Sequence, residues 1–131
     1  MRWVVFAILV LGAHFSLAAV APARAGRAWV GWPFAADTET TIPMLASLSR
    51  PLTILLGILG GAAFLAAAFA TAGWLVPAGW WPGLVVAGAS ASGLLYLLHF
   101  GVLALIPLAI DGILLWAVLA WAWTASVIGA G

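Results

Sequence analysis

PLTILLGILGGAAFLAAAFATAGWLVPAGWWPGLVVAGASASGLLYLLHFGVLALIPLAI, residues 51–110, contains no Asp, Glu, Lys or Arg. One helix crosses the hydrocarbon core of a bilayer with roughly 20 apolar residues, so a charge-free run more than twice that long predicts several crossings. A soluble domain would need water-facing polar stripes along its helices, and none is visible. The whole chain agrees: of 131 residues, 67% are hydrophobic and 5% charged, where globular proteins carry about a quarter charged residues. The fold class expected is therefore all-α, an integral membrane bundle of four transmembrane helices forming a single domain over residues 1–131.

Proline and glycine divide the run. Pro51 opens a helix expected over about 52–76, within which Gly57 and Gly61 lie four apart and give one face a smooth surface that lets another backbone approach. Helix packing is the expected use of that face. A connector with Trp74, Pro77, Gly79, Trp80, Trp81 and Pro82 suits a turn held at headgroup depth, where an indole finds both an apolar and a polar environment. A third helix is expected over about 83–104, with Gly88, Ser92, Tyr96 and His99 on one broad face. Pro107 suits the first turn of a fourth helix over about 107–127, on which Trp116 and Trp123 share a face and Trp121 points elsewhere.

Upstream, WVVFAILVLGAHFSLAAVA follows Arg2 and precedes Ala23-Arg24-Ala25, which resembles a secretory signal with its small-x-small cleavage site. The apolar run is longer than a signal core and long enough to span, so it is read as a first transmembrane helix over about 2–21. Residues 22–50 form a polar loop holding Arg24, Arg27, Asp37, Glu39 and Arg50, with Trp29 and Trp32 as further interface anchors. Thr41, Pro43, Leu45 and Leu48 mark the start of a short interfacial helix there. In a bacterial inner membrane, the arginines of the loop favour a cytoplasmic loop with both termini outside, whereas Arg2 and the signal-like start favour a cytoplasmic N-terminus; the larger number of arginines near the membrane tilts the expectation to the first.

The chemistry available is narrow. A net charge of +1 with no basic patch excludes a nucleic-acid footprint. Cys, Asn and Gln are absent, which removes thiolate ligands and amide recognition of soluble substrates. No HExxH, no GxGxxG, no phosphate loop and no nucleophile elbow occurs, and Asp37 and Glu39 do not share a helix face. No metal site and no enzyme activity are expected.

His99 and Asp111 stand out in the apolar background. A reversal near Leu105 and Ile106 places them at nearly equal depth on adjacent helices, so a structural polar pair is expected, with a role in proton passage or pigment contact as the functional rival. His14, near the middle of the first span, is expected to staple helices, and with His99 is the candidate for ligating haem or a chlorophyll-type pigment. The tryptophans of the fourth helix could pack on lipid, on another subunit or on a flat cofactor such as a carotenoid.

From these features the function expected is that of a small non-catalytic accessory subunit of a larger membrane complex, respiratory or photosynthetic, with other integral membrane subunits and lipids as partners. A small oligomeric transporter or channel, lined by His14, Ser92, Tyr96, His99 and Asp111, is the second reading. A haem- or pigment-binding module is the third. The uncharged reversal FGVLALIP, residues 100–107, favours the first, because an apolar turn calls for a covering partner.

Overall fold

The structure, a computed structural model, describes residues 1–20, 44, 48–99 and 104–129, and these contain helices and no strand. The first helix, α1, is Arg2–Ala18. Val5, Leu9, Gly12, Ala13 and Ser16 are its buried stripe, spaced as one helical face. It stops short of residue 21: the Val20 N–H bonds the Leu17 carbonyl at 3.1 Å, a tightened closing turn, just ahead of a proline that disfavours helix in the residue before it.

Helix α2 is Ser49–Ala72, with Pro51 in its first turn, where a missing N–H costs nothing. It ends four residues before the expected 76. Gly73 adopts φ 77°, the Gly73 N–H bonds Ala70 O at 3.2 Å and the Trp74 N–H bonds Phe69 O at 2.8 Å. That reciprocal closure is a Schellman cap, which glycine makes without a Cβ penalty. A 3-10 turn over Ala78–Trp80 then leads into α3, Trp81–Leu98. Pro82, expected to close the connector, instead occupies the first turn of α3.

Two expectations about the second hairpin are corrected. Helix α3 ends at Leu98 and His99 leaves helical geometry at φ −122°, well before residue 104, and α4 is Leu105–Trp121. Leu105 and Ile106, expected at the reversal, instead stand in the first turn of α4. Nor does the last helix continue to 127: Ala122 turns to φ 50°, Thr124 Oγ1 accepts the Val127 N–H at 3.3 Å, and a separate short helix α5, Ala125–Gly129, begins. A threonine hydroxyl satisfying an early amide is an N-cap, and it starts the new helix.

Among the described residues, two helical stretches are long and apolar enough to cross a membrane, Pro51–Ala72 with mean hydropathy 2.3 and Ala78–Leu98 with 1.5. Helices α1 and α4 have 17 residues each, about 25 Å at 1.5 Å per residue, shorter than the hydrocarbon core. In the packing, α2 lies between α1 and α3, while α4 rests on α3 and barely meets α1. Phe64, Trp81, Val85, Leu9 and Ile128 fill one part of the core, and Phe15, Leu95 and Tyr96 another. Large apolar side chains cover much of the outside, including Val4, Leu55, Leu97, Ile113 and Leu119.

Candidate functional site: a buried polar cluster

Small residues set the spacing of the helices. A Cβ at Gly57 would meet the Val20 side chain and lie 2.7 Å from Ser16 O, and one at Gly61 would lie 2.5 Å from Leu17 Cγ. The Gly57/Gly61 face is therefore the seat of α1. At Gly88 an added Cβ would meet the Phe64 ring at 2.8 Å, so α3 approaches α2 through that glycine. Gly60 completes the contact: its Cβ position lies 3.2 Å from Ser16 Oγ, 3.4 Å from Ser92 N and 3.5 Å from Gly88 O. Three helices converge at one glycine.

Ser16 Oγ stands at that convergence, and α3 and α4 carry further buried polar side chains. Ser16, Ser92 and Asp111 are buried, Asp111 with 3% of its surface exposed, and neither hydroxyl nor either carboxyl oxygen has a protein hydrogen-bond partner. Tyr96 is also buried and its hydroxyl donates to Phe15 O at 2.7 Å, tying α3 to α1. Ser92 and Tyr96 are the polar neighbours of Asp111, and Oδ2 of Asp111 lies 3.8 Å from the Cβ position of Gly93. Ser92 comes close without hydrogen-bond geometry. Unpartnered buried polar atoms cost about 1–3 kcal/mol each and more when charged, so four of them together are an expense that packing alone does not explain.

The expected pair of His99 with Asp111 is not formed. His99 Nε2 lies 3.4 Å from Thr53 Oγ1 and Nδ1 lies 3.1 Å from Leu95 O, whereas Asp111 has no hydrogen bond. The cause is the earlier end of α3. His99 sits at the helix terminus, while Asp111 is six residues into α4, about 9 Å further along the axis at 1.5 Å per residue. Counting the same distance back from Leu98 reaches Ser92, which is the residue opposite the carboxylate.

His14 and His99 are not arranged as a ligand pair. His14 is exposed on α1 with its ring beside that of Phe15 at 6.0 Å, and it lies four residues from the end of α1 instead of at mid-span. Both ring nitrogens of His99 already face Thr53 or Leu95. Among the described residues no group of three His, Asp or Glu could hold a metal ion.

The tryptophans divide into two classes. Trp74 and Trp80 are exposed, 52% and 65%, as interface anchors would be, and Trp74 stacks edgewise on Phe6 at the end of the bundle that carries Arg2. Trp81 is different: it is fully buried, and its indole N–H donates to Thr71 Oγ1 at 2.8 Å. The expected anchor is a core tie between α2 and α3. Trp29, Trp32 and the interfacial helix lie outside the described residues. Trp116 and Trp121 of α4 and Trp123 just beyond it line one apolar recess with Ala109, Gly112 and Ile113. The break at Ala122 brings Trp121, expected to point elsewhere, to 5.8 Å from the Trp123 ring.

Sequence reading missed Ser16, Thr53 and Thr71. Ser16 was the most legible of them, being four residues beyond Gly12 on the small-residue stripe of α1. Comparison with family models, characterised proteins and solved structures finds no match.

Proposed function

We propose that the chain is a small non-catalytic subunit of a larger integral membrane complex, crossing the bilayer four times in a bacterial inner membrane. Seventeen residues are at the short end of the range for a transmembrane helix, so α1 and α4 reach across with modest local thinning or with interfacial aromatics at their ends. The observation that carries the reading is Gly112. It lies in the middle of α4, exposed, with no described residue packed within 4 Å of its Cβ position, in a recess walled by Trp116 and Trp121. Lipid needs no glycine, whereas a second backbone does, because helices associate in membranes through close packing at small residues.

The parent complex is read as respiratory or photosynthetic, where small accessory helices and hydrophobic cofactors such as carotenoids meet. A haem or chlorophyll-type ligand draws less support, given the engagement of both His99 nitrogens. A second reading, a small oligomeric transporter or channel, is favoured by the polar cluster alone.

The test is extraction of the native membrane into lipid particles without detergent, followed by mass measurement of the intact assembly, for the wild-type chain and for Gly112→Leu. The proposal expects a stoichiometric heteromeric assembly that Gly112→Leu disrupts while the chain stays folded. A wild-type chain found alone overturns it. A homo-oligomer that moves protons or ions after reconstitution selects the second reading.

A further inference from the structure

We propose that Asp111, together with Ser92, forms an intramembrane proton-binding site that exchanges with the end of the bundle carrying Tyr96 and His99. The inference does not depend on whether the chain works inside a complex or as an oligomer. It starts from three oxygens of two neighbouring side chains, Ser92 on α3 and Asp111 on α4, all buried and all without a protein hydrogen bond.

Packing does not require these groups. Alanine or leucine would fill the same positions without leaving polar atoms unpaired, and an ionisable side chain within a span is a functional residue by default. The kind of ligand follows from the charge and the donor set. The groups around Asp111 come from α3, which offers Ser92, Tyr96 and, at its end, His99 beside Thr53 of α2, while α4 offers no second ionisable group. No arginine is among these described side chains: Arg2 is at the opposite end of the bundle, over the Trp3 ring, and Arg50 stands in the first turn of α2, at the end that carries Thr53 and His99. A metal cation would require a fuller shell of oxygens than one carboxylate and two hydroxyls, since the helix carbonyls are engaged in the backbone ladder. A proton requires a single carboxyl oxygen, with a hydroxyl to receive the resulting O–H.

In the reaction, hydronium gives its proton to Asp111 Oδ1 or Oδ2, a neutral carboxyl forms and one water remains. The reverse step returns the proton to water. Ser92, at the depth of Asp111, is the hydroxyl positioned to accept from the carboxyl. Tyr96 follows one turn along α3, and His99 with Thr53 follows at the helix end, so these polar groups step from the carboxyl toward that surface. The opposite end is closed by Trp81, Phe64 and Ile128, each buried. This is a site with one-sided access rather than a continuous channel.

Infrared difference spectra of the full-length chain in lipid, recorded across a pH step, test the proposal. A buried carboxyl C=O band that grows on acidification, disappears in Asp111→Asn and changes frequency in Ser92→Ala is the expected result. Dicyclohexylcarbodiimide, an apolar reagent that attacks protonated carboxyls, should label Asp111 less as pH rises, as read by peptide mass mapping. Asp111→Asn keeps the side chain's shape, and its helical circular dichroism should match the wild type. Absence of any Asp111-dependent C=O band between pH 5 and 9 overturns the proposal, as does a band unaffected by Ser92→Ala.

Discussion

Replacing Gly57 by Ala puts a methyl group 2.7 Å from the carbonyl oxygen of Ser16, about 0.7 Å inside ordinary van der Waals contact, which begins near 3.4 Å. The obstacle is backbone, so α1 and α2 must separate. At Gly61 the same methyl group meets only the Leu17 side chain, at 2.5 Å, and Leu17 is 40% exposed and can swing outward. At Gly112 it meets nothing. In water Ala is preferred over Gly in a helix by roughly 1 kcal/mol, but membrane helices remain helical when they part, so that preference largely drops out and helix contact decides the order. Overpacking costs about 1–3 kcal/mol. Gly57→Ala is therefore expected to lose about 1–3 kcal/mol, Gly61→Ala less than about 1, and Gly112→Ala close to nothing in the isolated chain. Reversible unfolding in mixed micelles, followed by energy transfer between labels on α1 and α2, measures all three. Equal effects, or Gly112→Ala as the most damaging in the purified single chain, would refute the packing derived for α1 and α2.

Further expectations concern polar ties and the buried carboxylate. Tyr96→Phe removes the hydroxyl that donates to Phe15 O; because that carbonyl also accepts from the Ala19 N–H at 3.3 Å, the loss should be about 0.6 kcal/mol, the average for intramembrane hydrogen bonds, and a loss above about 2 would contradict it in the same unfolding assay. Trp81→Phe and Thr71→Val each break the 2.8 Å bond between α2 and α3, and a double-mutant cycle should give coupling of about 0.5–1.5 kcal/mol; zero coupling rejects the tie. Asp111→Leu should leave stability unchanged or raise it by about 1 kcal/mol or more, since the carboxylate has no bond to lose. A clear loss of stability would mean that Asp111 is hydrogen-bonded after all.

The all-helical class was legible because membrane sequences announce themselves by the absence of charge, and Gly57, Gly61 and Gly88 mark close approach by size alone. Helix ends were harder. Gly73 carried a readable stop signal, which an expected helix end at about 76 overran. The break at Ala122 has no glycine or proline to announce it, and only Thr124, capping the next helix through Val127, gave a hint. Misplacing the end of α3 by six residues was enough to pair Asp111 with His99 instead of Ser92, because depth in an antiparallel hairpin is counted from the turn. Trp81 was misread for a related reason: a tryptophan beside a connector looks like a headgroup anchor until its partner, Thr71, is known.

The central claim is a bundle threaded four times through the bilayer with the polar cluster near one face. The chain has no cysteine, so single cysteines at Leu48, Gly79, Leu105 and Gly129, all exposed near helix ends, can be probed in intact vesicles with a membrane-impermeant maleimide. Four crossings predict that Gly79→Cys and Gly129→Cys react from one side and Leu48→Cys and Leu105→Cys from the other. Reaction of Gly79→Cys and Leu105→Cys from the same side would contradict the account.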